Sequence, residues 1–67
     1  MKGVSIVKDL FEVAIKFTQD GVTDIWSRNY WATSKADACR QGSNEFRGAY
    51  NLRSVRILSI DASKVMG

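Results

Sequence analysis

The chain has 67 residues, 45% of them hydrophobic and 25% charged, with five Gly, one Cys, neither Pro nor His, and a formal net charge of +3. That length allows one small domain (1–67), and the apolar and charged fractions exclude a disordered segment, which would be poorer in aromatic and branched residues. A single cysteine forms no internal disulfide, apolar runs reach only three residues, as at Val13 to Ile15, and no charged start leads into an apolar stretch. The expectation is a non-exported, non-membrane protein of a reducing cytoplasm.

Residues Gly3 to Val7 have a composition compatible with a short leading strand or a loose arm. From Leu10 to Phe17 the alternation is strict, with Phe11, Val13, Ile15 and Phe17 on one face and Glu12, Ala14 and Lys16 on the other, so a half-buried strand is predicted. Asp20 and Gly21 then read as a tight hairpin turn, because Asp-Gly tolerates the positive φ that such turns need. The segment from Val22 to Trp31 is rich in β-branched and aromatic residues and pairs back as a second strand. Its buried face is open at this point, since Ile25 and Trp31 share one side while Trp26, Arg28 and Tyr30 share the other. One tryptophan is therefore expected to be exposed, unless a bulge or a homodimer covers it.

The period changes after Ala32. Ser34 followed by Asp37 has the form of a capping box, predicting a helix from Lys35 to Arg47 with a stripe of Ala36, Cys39, Ser43 and Phe46 and with Gly48 as its left-handed C-terminal cap. Gly42 in a helix interior costs about 1 kcal/mol against alanine, so an alanine there is expected to stabilise. From Arg53 to Ile60 strand composition returns, Val55 and Ile57 on one face and Leu58 and Ile60 on the other, which suits the centre of a sheet. Residues 61–67 read as a tail. The fold class that results is α+β: ββαβ order, an antiparallel three-stranded sheet, a fourth short N-terminal strand left open, and one helix on one face.

Without histidine and with a lone thiol, neither a metal site nor an activated nucleophile is expected, and no cofactor motif is present. Cys39 is read as a core thiol, and Asp20 and Asp24 as backbone hydrogen-bonding partners in the turn. An enzyme is not expected. Charge carries more information. Residues 1–24 sum to −1 and residues 25–60 to +4, and five of the six cations in the latter are arginines, which suit carboxylate or phosphate partners. Asp37 and Arg40, or Glu45 and its helical neighbours, can instead pair along the helix. The Trp26, Arg28 and Tyr30 face reads as core, as a protein-binding anchor, or as a nucleic-acid platform.

The order of elements, the WATSKADA stretch from Trp31 to Ala38 and the late strand RSVRI resemble, over Phe11 to Ile60, the small phage-encoded inhibitors of host enzymes, in particular the host RNA-polymerase inhibitors of T-odd coliphages. The resemblance implies a compact protein that binds and blocks a host protein machine (polymerase, nuclease or defence complex) in the host cytoplasm, with Arg53 and Arg56 matching the final-strand arginines of that family. Spaced three apart, these two would fall on opposite faces of a regular strand. The expected function is thus a non-enzymatic inhibitor that docks an acidic protein surface through Trp26, Arg28, Tyr30, Trp31, Arg53 and Arg56, the alternative being a small nucleic-acid-binding domain using the sheet face. A DNA mimic is disfavoured by the positive charge.

Overall fold

In the computed structural model, which describes residues 7–50 and 53–66, the elements follow in the order β1 (Asp9–Gln19), β2 (Val22–Ala32), α1 (Lys35–Ala49) and β3 (Val55–Met66). The sheet is antiparallel with β1 in the centre, in the order β2-β1-β3. This is the expected α+β, ββαβ arrangement with one helix on one face. Of the possible leading strand, residues 3–6 lie outside the described residues, and Val7 is not in a strand.

The strict alternation of β1 explains its central place. Phe11, Val13, Ile15 and Phe17 are all buried under α1, while Glu12 and Lys16 are exposed on the opposite face. The turn is the two-residue hairpin that the sequence implies: Gln19 pairs with Val22, and Asp20 and Gly21 have φ of 52° and 81°. Positive φ at both positions matches a type I′ turn, whose twist suits the flanking strands. Asp24 accepts a hydrogen bond from the backbone N–H of Ile25 at 2.8 Å.

The helix starts as the sequence implies, with the Ser34 hydroxyl accepting from the N–H of Asp37 at 3.1 Å and the Asp37 carboxylate accepting from the N–H of Thr33 at 3.3 Å. Its end and its phase differ. Gly48 remains helical and exposed, and the chain leaves α1 at Tyr50, whose N–H donates to the carbonyl of Phe46 at 3.0 Å. A left-handed cap is unnecessary when extended backbone at Tyr50 ends the helix and turns its ring back onto the core. The buried stripe is Ala38, Gly42 and Phe46, rotated from the expected one, so Ala36 is exposed and Cys39 only half-buried at the flank. Cys39 is thus no core thiol: the glycine and alanine beside it let the helix backbone approach the sheet most closely along their own line.

Two further expectations are corrected at β3. The strand is an edge, not the centre, and it continues through 61–66, the residues expected to form a tail. In a regular strand Ile60 would lie on the side opposite Val55 and Ile57. The register passes from Phe17 opposite Ile57 to Lys16 opposite Ser59, so Leu58 is an extra residue. This bulge brings Ile60 and Ala62 onto the same side as Val55 and Ile57, all packed on the core beneath α1. A second shift makes Val65 the extra residue near the strand's end, and beyond the helix Lys64 and Asp9 form an ion pair at 3.3 Å. Because β3 pairs with β1 from Leu10 to Gln19, residues 61–66 are strand rather than tail.

The core is aromatic around one residue. Phe46 is fully buried, with Tyr50 stacked at 4.5 Å between centroids and Phe17 and Trp26 edge-on at 5.1 and 5.6 Å. Such arrangements add to simple area burial.

Candidate functional site

The structure splits the six sequence-derived candidates between the two faces of the sheet and a turn. In β2, Trp26, Arg28 and Tyr30 stand opposite Ile15, Val13 and Phe11 of β1, so all three lie on the helix side. Trp26 packs against Phe46, and the Arg28 guanidinium sits 5.8 Å from the Trp26 ring centroid. Glu45, projecting from α1, accepts hydrogen bonds on one carboxylate oxygen from both the Arg28 guanidinium and the Tyr30 hydroxyl, the latter at 2.7 Å. The sequence reading placed Glu45 in pairs along its own helix, whereas it ties the helix to β2. The signal available in the sequence was that Arg28 and Tyr30 share a face with Trp26, which places both under the helix once Trp26 is inside. Asp37 and Arg40 do pair along the helix as expected. Gln41 adds a second tie, donating to the Trp31 carbonyl at 3.2 Å.

These contacts shift three titrations. The hydrogen bond from Tyr30, reinforced by Arg28, holds the Glu45 carboxyl below the ordinary carboxylate range, and Arg40 with the Thr33 N–H does the same for Asp37. Burial, together with the Glu45 carboxylate, pushes the Tyr30 phenol up to about 12. The signs of the resulting stability effects are opposite. The carboxylates contribute in full above their ordinary range, and that contribution is lost as pH falls through their lowered folded values. The phenol contributes in full below its ordinary value of 10.0, and the contribution is lost as pH rises through that of the folded state. Thermal melts across the acid and alkaline limbs are expected to show a neutral plateau, and Glu45→Gln is expected to shrink the acid limb. An unchanged acid limb in that variant would remove Glu45 from the account.

The other face of the sheet is covered by no element among the described residues. Ile25, Trp31, Leu58 and Val65, four of the large exposed hydrophobics, belong to strand positions outside the helix-covered core, with Trp31 55% exposed. Trp31 lies opposite Leu10 at one end, and Ile25 opposite Lys16 nearer the hairpin. Arg56 pairs with Thr18 and shares this open face, while Arg53 sits in the turn before β3. The two arginines therefore do not form a strand pair. Of the candidates, the fold brings Trp31 and Arg56 to one uncovered surface and commits Trp26, Arg28 and Tyr30 to the helix contact.

The open face also carries Glu12, Lys16 and Asp61, so its described charges, with Arg56, balance. Among the described residues there is no cluster of three metal-ligating side chains, no pocket, and no helix long and apolar enough to cross a membrane. What this surface offers is an uncovered platform of mixed apolar and charged residues. No protein-family model, curated protein or solved structure matches the chain.

Proposed function

We propose that this protein is a non-enzymatic binding module that docks another protein on the open face of its sheet, and that, in keeping with its resemblance to phage-encoded inhibitors, it acts by blocking a larger host protein. The observation that carries this reading is Trp31, an exposed indole in a strand whose other tryptophan packs against the core. Trp and Arg are the residue types enriched at interface hot spots. Trp31 supplies the anchor, and Arg56 on the same face supplies charge that speeds association with an acidic surface. The balanced charge of this face favours protein over nucleic acid, since phosphate binding draws on a concentrated positive field.

The test is affinity capture from a nuclease-treated bacterial lysate, followed by binding measurements with the retained protein. Trp31→Ala is expected to weaken that complex by about 30-fold or more, the loss typical of an anchor worth at least about 2 kcal/mol. Arg56→Ala is expected to slow association, with a smaller change in dissociation. Arg28→Ala should leave the complex intact in any variant that stays folded. Salt-steep binding to unrelated DNA or RNA, with no protein retained, would replace this reading with the nucleic-acid one.

A further inference from the structure

The charges of the open face are segregated along the strands. By the level of their β1 partners, Glu12 and Asp61 (opposite Ala14) fall toward one end, and Lys16 and Arg56 (opposite Thr18) toward the hairpin. All four are exposed. With the strands of two copies aligned, two arrangements can be compared. A two-fold axis parallel to the strands would stack Glu12 on Glu12 and Lys16 on Lys16. A two-fold axis crossing the strands between the levels of Ala14 and Lys16 reverses one copy end to end. It then sets Lys16 beside Asp61 of the second copy and Glu12 beside its Arg56, each pair one strand apart and each made twice. The same operation gathers Ile25 of both copies near the axis and lays each Trp31 over the other copy's hairpin.

From this register we infer that the open face is self-complementary and that a second copy of the chain occupies it in a head-to-tail, face-to-face dimer. The inference rests on the open face being the docking surface, as proposed above, and adds the occupant of that surface in the unliganded protein. Size sets its strength. Three strands of eleven or twelve residues present a face of about 35 by 14 Å, so the pair buries roughly 1,000 Å², at the low end of specific interfaces. A weak, exchanging dimer is the expected consequence, one that a tighter protein partner displaces from Trp31.

Sedimentation velocity on the full chain over a range of concentrations tests this, with circular dichroism confirming that each variant is folded. Because a contact in a two-fold interface counts twice, Lys16→Asp and Asp61→Lys are each expected to weaken the dimer about tenfold. The double variant, which restores opposite charges across the axis, is expected to recover it. A chain that stays monomeric throughout, or single losses that the double variant fails to recover, would overturn the inference. The two readings fail separately. A monomer whose retained partner is lost on Trp31→Ala leaves the docking surface standing without self-pairing. A charge-swappable dimer with no other protein partner leaves self-pairing standing without the inhibitor role.

Discussion

Phe46→Ala is expected to remove most of the stability of this domain. Phe46 is fully buried and touches the rings of Phe17, Trp26 and Tyr50, so it joins β1, β2 and the exit of α1 in one cluster. Truncating a buried phenylalanine costs about 3–5 kcal/mol through lost transfer energy and the cavity left behind. A chain of this length has a total stability of only about 3–10 kcal/mol. The helix has little other apolar grip on the sheet, because the other two residues of its buried stripe are Ala38 and Gly42, and its polar ties through Glu45 and Gln41 lie at exposed or half-buried side chains. Denaturant unfolding monitored by tryptophan fluorescence measures the effect, since Trp26 lies against Phe46. Phe46→Leu keeps part of the volume and is expected to lose clearly less. If Phe46→Ala unfolded at nearly the parental midpoint, α1 would not be held by this cluster.

The same cluster shows why part of the fold was legible in the sequence and part was not. From Phe11 to Phe17 in β1 every second residue is large and apolar and the intervening ones are polar or small, so one register alone buries a face. The Asp-Gly turn and the Ser34–Asp37 cap each have a local chemical cause and needed no tertiary information. In β2 a large ring stands on each side, and the choice between them is made by α1, which lands on Trp26 and Tyr30 and leaves Trp31 outside. Along α1 the phase was blurred because Ala36, Ala38, Cys39, Gly42 and Ser43 are all small, so the hydrophobic contrast between adjacent lines is slight. In β3 the bulge at Leu58 shifts Ile60 and Ala62 onto the side of Val55 and Ile57, and nothing in the residue types marks it. The site followed the same logic: Trp31 and Arg56 reach the open face through strand parity, whereas Arg28 and Tyr30 bond to Glu45, seventeen and fifteen positions away.

Gly42→Ala is expected to destabilise the protein, contrary to what helix propensity alone implies. A methyl group at this position would lie 2.7 Å from Cγ1 and 3.1 Å from Cβ of Val13, with Cε2 of Tyr30 at 3.4 Å. Val13 cannot withdraw. It is fully buried in the central strand, and its branched side chain has few alternative rotamers. Relief would require α1 to lift from the sheet, loosening Phe46 and stretching the ties from Glu45 to Arg28 and Tyr30. Overpacking of this kind costs about 1–3 kcal/mol, which outweighs the gain of about 1 kcal/mol from replacing glycine in a helix. The two contributions separate in a double-mutant cycle. Val13→Ala alone removes two buried methyl groups and is expected to cost about 2 kcal/mol, but it also removes Cγ1, the atom at 2.7 Å from the new methyl, while Cβ at 3.1 Å stays. In that background the penalty of Gly42→Ala is expected to fall to near zero, because the worst contact is gone and the helix-propensity gain offsets what is left. Unfolding midpoints of the four proteins decide the matter. If Gly42→Ala stabilised the parent chain, the close approach of α1 to Val13 would be the wrong account of why glycine stands at that position.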